Sequence, residues 1–90
     1  MARKTQEELI AEVNKAKKKV KVERRYSHYK HPNRFYTVLR VGLIEETGGV
    51  CVIYEAEYGK KLVWVRTLED FLAKVKLEDG TEVDRFTKVE

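Results

Sequence analysis

The hydrophobic period of the chain changes once, near Lys21, and this change constrains the fold more than any other feature of the sequence. Before it, Leu9, Val13, Ala16 and Val20 recur at the spacing of one helix face. After it, apolar and aromatic residues alternate with polar ones, with the β-branched enrichment that is typical of strands. The sequence therefore predicts one amphipathic helix followed by a series of short strands.

Capping signals set the expected bounds of the helix. Thr5-Gln6-Glu7-Glu8 fits a capping box, in which the Thr5 hydroxyl and the Glu8 carboxylate each accept a backbone N–H from the other residue. Lysines gather toward the other end, where positive charge suits the helix dipole. We expect the helix to run from Thr5 to about Lys19. We also expect two regions, a basic amphipathic helix at residues 1–21 and a β domain at residues 22–90.

Turn signals divide the second region into five or six short antiparallel strands. His31-Pro32-Asn33, Gly48-Gly49 and Asp79-Gly80 mark turns, and Thr67 begins a short helical segment that runs through Leu72. Closure would protect the edges of so short a sheet. The predicted fold class is therefore mainly β, a small SH3-like antiparallel barrel preceded by one amphipathic N-terminal helix.

Alternation along the strands assigns residues to faces. In the second predicted strand, one face is expected to carry Phe35, Thr37, Leu39, Val41 and Leu43, and the other Tyr36, Val38 and Arg40. In the fourth, Val63 and Val65 are expected to fill the barrel. That orientation turns Trp64 and Arg66 outward or into a groove.

Length and charge limit the kind of function. A chain of 90 residues supports one small core and leaves little room for a deep cavity within one subunit. Residues 1–34 hold 11 Lys and Arg against 4 Asp and Glu, whereas the remainder hold 8 against 11. This asymmetry favours a basic arm or face that meets phosphate or carboxylate, and a solvated helix face is the commoner alternative.

No residue pattern specifies catalysis or a cofactor. Ser27 and His28 are neighbours on a predicted strand and point to opposite faces, so they do not form a nucleophile and base pair. His28 and His31, with Cys51 or Glu55 as a third ligand, lack the spacing of a zinc site. We expect a protein that is not an enzyme and that takes no metal or other cofactor.

Cysteine usage and hydropathy bear on location. The single cysteine, Cys51, excludes an internal disulfide and is expected to be a small buried hydrophobe in a reducing compartment. No apolar run has the length of a membrane span or of a secretory signal. These features predict a cytoplasmic protein without a membrane partner.

Aromatic and basic residues form the candidate site. Rings can stack on a planar ligand while Arg and Lys hold its negative charge. The candidate ligand-binding residues are Tyr26, His28, Lys30, Tyr58, Trp64 and Arg66. A possible basic, phosphate-binding face adds Lys17, Lys18, Lys21, Arg24 and Arg25. The leading hypothesis is a non-catalytic binding module for an anionic, ring-bearing ligand such as a nucleotide or a molecule derived from one. We expect a second subunit of a homo-oligomer to complete its site.

Each of these features has a plainer interpretation. Trp64, Tyr54 and Tyr58 taken singly are more often packing residues, and Arg66 and Lys30 more often form surface ion pairs. Two other functions stay open. One is a nucleic-acid-binding SH3-like module, and the other is a protein interaction module that grips a peptide through its helix or its aromatic groove.

Several segments in combination also carry a family resemblance. They are Tyr26-Ser27-His28-Tyr29-Lys30, Tyr36-Thr37-Val38-Leu39, Val52-Ile53-Tyr54, Tyr58-Gly59, Leu62-Val63-Trp64-Val65-Arg66 with Leu68 and Phe71-Leu72, and Arg85-Phe86. Over about residues 22–88 the chain resembles the bacterial and phage family known as domain of unknown function 1653, to which the N-terminal helix looks like an addition. The resemblance implies a small β-rich domain and no established activity. In a phage, such a module would sequester a host signalling nucleotide.

Overall fold

The computed structural model describes residues 4–89, which form two helices and seven strands. In chain order these are α1 (Gln6–Lys19), β1 (Arg25–His28), β2 (His31–Leu43), β3 (Val50–Ala56), β4 (Val63–Thr67), α2 (Leu68–Leu72), β5 (Lys74–Lys76), β6 (Glu82–Asp84) and β7 (Phe86–Lys88). Neither helix within these residues is long and apolar enough to cross a membrane.

The helix α1 begins as its capping signals predict. The Thr5 hydroxyl accepts the Glu8 N–H at 3.1 Å, and the Glu8 carboxylate accepts the Thr5 N–H at 3.1 Å, so the capping box is confirmed. At the other end Ala16 and Val20 are buried. The hydroxyl of Tyr26 accepts the backbone N–H of Lys21 at 2.8 Å. The last turn of α1 is thereby tied to β1 and packed against the rest of the domain.

The strands form one antiparallel sheet of five and a separate hairpin. The sheet order is β4-β3-β2-β1-β7, and β5 pairs only with β6. The mainly β class with a preceding helix is confirmed. The sheet is not closed, because β4 and β7 are its two edges, so the SH3-like barrel is not confirmed.

A bulge in β2 changes which side chains face the core. Val38 pairs with Tyr54 and Arg40 pairs with Ile53, so Leu39 is an extra residue that the partner strand does not match. Beyond it the alternation is reversed, and Val41 pairs with the buried Val52. The prediction that Val41 and Leu43 share the face of Thr37 is therefore wrong, since it assumed unbroken alternation.

The core lies on one face of the large sheet, here called the inner face, and is rich in rings. It consists of Val20, Tyr26, Tyr36, Val38, Val52, Tyr54, Ala56, Phe71 and Phe86. The rings of Phe71 and Phe86 stack with their centroids 4.3 Å apart, and Tyr54 meets both edge-on. Phe71 is the buried residue of α2, so this short helix is held by the same cluster.

Strand β4 departs from the predicted orientation. Val63 and Val65 are 53% and 60% exposed, so the prediction that they fill the interior is wrong. They lie on the outer face, where Val65 pairs with Ile53, whereas Trp64 and Arg66 pair with the core residues Tyr54 and Val52. Alternation alone separates the two faces of an edge strand and does not say which of them has a second layer above it.

Candidate functional site

Two arginines and a histidine from different parts of the chain lie at Phe86 or next to it. The Arg66 guanidinium on β4 lies 5.5 Å from the centre of that ring, and the His28 imidazole on β1 meets it edge-on at 5.0 Å. His28 and Phe86 are paired across β1 and β7, and Arg85 directly precedes Phe86. We call His28, Arg66 and Arg85 the cationic cluster.

One carboxylate, that of Asp70, serves both arginines of the cationic cluster. It accepts Nη1 of Arg66, four residues earlier, and its other oxygen lies 3.8 Å from Nη2 of Arg85. The Thr67 hydroxyl accepts the Asp70 N–H at 3.1 Å, which caps α2 as predicted and fixes Asp70 in its first turn. Two guanidinium charges thus share one negative charge, which leaves a positive surplus.

Arg66 has a second partner inside the site. Its Nε donates to the Tyr54 hydroxyl at 2.9 Å. Burial alone would lower the pKa of Arg66, but the bonds to Tyr54 and Asp70 outweigh burial and raise it. The guanidinium is therefore held charged and in a fixed orientation.

His28 is kept neutral by its surroundings. Burial, and next the charges of Arg66 and Arg85, lower the pKa of His28. Its Nδ1 accepts the backbone N–H of Lys30 at 3.2 Å, so that nitrogen carries no proton. The neutral ring then bears its proton on Nε2, where it is a hydrogen-bond donor.

Arg85 carries an unsatisfied donor. Its Nε is buried and has no hydrogen-bond partner among the described residues. Buried polar groups in folded proteins are nearly always hydrogen-bonded, so an unpartnered donor calls for a physical explanation, such as a bound ion or water at that place. Because the surrounding charge is positive, an anion is the group that would satisfy it best.

Two aromatic side chains, here called the aromatic rim, lie beside the cationic cluster. Trp64 is 49% exposed and lies opposite Tyr54, and Tyr58 is half-buried with its hydroxyl 2.6 Å from that of Tyr36. The Arg34 guanidinium lies 4.9 Å from the centre of the Tyr58 ring. Tyr54 links the rim to the cluster. Its ring contacts Tyr36, which is bonded to Tyr58 of the rim, and its hydroxyl accepts a hydrogen bond from Arg66 of the cluster.

The hydroxyl pair of Tyr36 and Tyr58 gives a pH prediction. Burial and the bond to Tyr58 raise the pKa of Tyr36 to about 12. A tyrosine in the unfolded chain ionises near pH 10, so the folded state holds more protons between about pH 10 and 12 and loses stability as the pH rises through that range. Denaturant unfolding at stepped pH should show this fall. Tyr36→Phe should flatten it, and an equally steep fall in that variant would contradict the assignment.

Of the six candidate ligand-binding residues, the structure brings His28 and Arg66 together at the ring of Phe86. Trp64 lies two residues from Arg66 along β4, and Tyr58 contacts Tyr36. The other two lie elsewhere. Tyr26 is a core residue whose ring contacts Phe71 and whose hydroxyl accepts the backbone N–H of Lys21. Lys30 is exposed in the turn after β1, where its Nζ lies 5.9 Å from the Tyr29 ring. It contributes to the site through its backbone bond to His28.

The residues of the suggested basic face lie on different surfaces. Lys21 lines a depression of about 280 Å³ beside Tyr26 and Phe71, whereas Lys17 lines another next to Val22 and Arg40. Lys18 and Arg24 are exposed. On the outer face, Arg25 lies over the Phe35 ring and pairs with Glu57 at 2.9 Å. The structure does not gather these five cations around one site.

Sequence reasoning missed Asp70, Arg34 and Arg85. Asp70 stands four residues after Arg66, a spacing that pairs opposite charges where a strand runs into a helix. Arg85 precedes an aromatic residue in one of the segments that carry the family resemblance. No pattern in the sequence brings Arg34 to Tyr58, because that contact depends on the pairing of β2 with β3.

Within residues 4–89, no group of three or more His, Cys, Asp and Glu side chains is placed to hold a metal ion. Cys51 is buried and unbonded to another cysteine, as expected of a small hydrophobe in a strand.

The fold and the site define a small β-rich domain with one open sheet, an aromatic core and a cationic cluster at the rim of that core. The chain belongs to the family described as "Protein of unknown function (DUF1653)", whose model matches residues 24–88. It is similar to a crystal structure of a protein of that family from Bordetella bronchiseptica, with a TM-score of 0.64 and 28% identity, covering 74% of this chain and 85% of that one. No curated protein matches the chain. The family match begins after α1, so that helix lies outside it.

Proposed function

We propose that the protein is a non-catalytic binding module whose cationic cluster holds the negative group of a small, ring-bearing anion such as a nucleotide. The observation that carries the proposal is the unpartnered Nε of Arg85 in a site where Arg66 and Arg85 share only Asp70. A phosphate or carboxylate placed beside the two guanidinium groups would accept hydrogen bonds from them and balance the surplus charge.

The aromatic rim supports the choice of a ring-bearing ligand. Trp64 presents half of its surface to solvent on the same face as Arg66, at a distance of two residues along β4. Exposed rings next to guanidinium groups suit the stacking of a base while its phosphate is bound. We expect the module to act in the cytoplasm, where Cys51 stays reduced.

Trp64 supplies a direct readout, because it is the only tryptophan. Titration with ADP should quench its fluorescence to saturation, whereas adenosine alone and inorganic phosphate alone should bind more weakly, since each fills half of the site. Phosphate near His28 stabilises the protonated ring, so affinity should rise as the pH is lowered toward the reduced pKa of His28.

Arg85→Gln tests the observation on which the proposal rests, the unpartnered Nε of Arg85. The variant should lose at least about tenfold in affinity for ADP, the size expected when a hydrogen bond to a charged group is removed. The matched control is Arg40→Gln, which removes an exposed arginine of β2 outside the cationic cluster and should leave affinity within about twofold. Equal affinities in the two variants, or no quenching by ADP, would refute the proposal.

Salt dependence separates this function from nucleic-acid binding. A nucleic acid that contacts many phosphates loses affinity steeply as salt is added, whereas a mononucleotide bound at the cationic cluster involves few charges and gives a shallow slope. A steep slope with an oligonucleotide, together with no response to ADP, would favour the nucleic-acid alternative.

A further inference from the structure

The free edge of β4 is apolar over four consecutive residues. Leu62, Val63, Trp64 and Val65, here called the β4 edge, are 55%, 53%, 49% and 60% exposed. They lie on both faces of the strand. Exposed large apolar residues in an unbroken row are unusual in a monomeric protein and indicate an interaction surface.

The backbone of the β4 edge also offers unpaired hydrogen-bonding groups. The Leu62 carbonyl accepts the Ala56 N–H at 2.9 Å, and β4 continues antiparallel to β3 from there. In an antiparallel pair, successive residues point their N–H and C=O alternately toward and away from the partner. Those of Val63 and Val65 therefore point away from β3, on a side where no strand of residues 4–89 pairs.

Proline and bulges, two of the usual protections of a free edge, are absent from β4, and the charge of its one ionic residue, Arg66, is paired with Asp70. Monomeric proteins protect edge strands with charged residues, proline, bulges or short length. The β4 edge holds no charge and no proline, and its pairing with β3 has an unbroken register. By contrast, β7 at the opposite edge has three residues and ends in Lys88.

We propose that the β4 edge pairs with the β4 edge of a second copy of this chain. In an antiparallel pair related by a two-fold axis, Val63 of one copy lies opposite Val65 of the other and exchanges both backbone hydrogen bonds with it. Trp64 then lies opposite its counterpart on the inner face. The two five-stranded sheets become one continuous sheet of ten.

Charge at the ends of the strand favours a second copy over an unrelated apolar strand. Lys60 and Lys61 precede the β4 edge, and Glu69 follows it in the first turn of α2. Antiparallel pairing brings the lysines of each copy toward the Arg66–Asp70 pair and Glu69 of the other, a group with a net negative charge, whereas parallel pairing would place like charges together.

The mass of the full chain in solution tests the pairing. Light scattering after size-exclusion chromatography should give about twice the 10.6 kDa of one chain. Val65→Pro removes the N–H that points away from β3 and keeps every hydrogen bond to β3. Edge strands tolerate proline at such a position. Two hydrogen bonds are then lost per dimer, so the dissociation constant of the dimer should rise by about 30-fold.

A matched pair of lysine substitutions distinguishes the β4 edge from exposed apolar surface in general. Val65→Lys and Ile10→Lys introduce the same charge at residues that are 60% and 59% exposed. The first should yield monomers, because it places two lysines near the two-fold axis, and the second should remain dimeric. A wild-type monomer at about 1 mM, or equal responses to the two substitutions, would overturn the proposal.

Disulfide trapping tests the register. With Cys51→Ala as background, Trp64→Cys should form a covalent dimer on mild oxidation, because facing residues in a non-hydrogen-bonded pair are within disulfide reach. Leu62→Cys should not, since it lies opposite Arg66 of the second copy. Trapping of Leu62→Cys alone would exclude this register.

Arg85→Gln should stay dimeric, so failure of ligand binding and failure of pairing can be told apart.

Discussion

Replacing Phe71 with alanine is expected to lower the free energy of unfolding by about 3 to 5 kcal/mol. Phe71 is among the most completely buried large side chains, and its ring stacks on Phe86 at 4.3 Å. Edge contacts to Tyr26 and Tyr54 at 5.5 and 5.7 Å complete its surroundings. Its removal leaves a cavity lined by rings that other contacts hold in place, such as those of Phe86 with His28 and of Tyr54 with Tyr36, so little of the loss can be recovered by relaxation.

Urea denaturation followed by circular dichroism measures this effect. The control is Leu72→Ala, on the same helix and 40% exposed, which should cost less than about 1 kcal/mol. Because α2 also carries Asp70, Phe71→Ala should disturb the cationic cluster and weaken ligand binding as well as stability. A Phe71→Ala protein as stable as the Leu72→Ala protein would show that α2 is not held by the core.

Val20→Ala is the second large effect, with an expected loss of about 2 to 3 kcal/mol. Val20 follows α1 and precedes the region matched by the family, yet it is fully buried in the core cluster with Val38 and Val52. The prediction asks whether the segment outside the family region is part of the folding unit. If it is, removing two methyl groups there should cost as much as at a core position of the sheet.

The same denaturation experiment provides the comparison. Val38→Ala, another fully buried valine, should lose a similar amount, and Ile10→Ala, exposed on α1, should lose less than about 1 kcal/mol. If Val20→Ala resembled Ile10→Ala, the helix would be an appendage to an independent β domain, and the division predicted near residue 21 would describe two separable units.

Local chemistry made part of this fold predictable. The caps at Thr5 and Thr67 each depend on a hydroxyl and an N–H three residues away, so the sequence alone locates both helix starts. The helix periodicity correctly indicates that Ala16 and Val20 are buried. His28, Trp64 and Arg66 could be selected as site candidates because their residue types suit an anionic, ring-bearing ligand.

Features that depend on pairing between distant segments could not be predicted. The extra residue Leu39 has no signature of its own, because a bulge is defined by the partner strand that fails to match it. The edge position of β4 depends likewise on the order of strands, which alternation does not encode. Arg85 becomes a site residue only when β7 pairs with β1 and brings Phe86 to His28.

Tyr54 contributes its ring to the core and its hydroxyl to Arg66, so the same side chain supports stability and, under the proposed function, ligand binding. Divergence within the family is therefore constrained unevenly. Substitutions that alter Tyr54 change the packing of the domain and the placement of a guanidinium together, and selection on either property opposes them. Arg34 and Lys30 are exposed and lie outside the core, so they can vary at little cost to folding. Under the proposed function, changes in ligand preference among relatives are expected first at such positions.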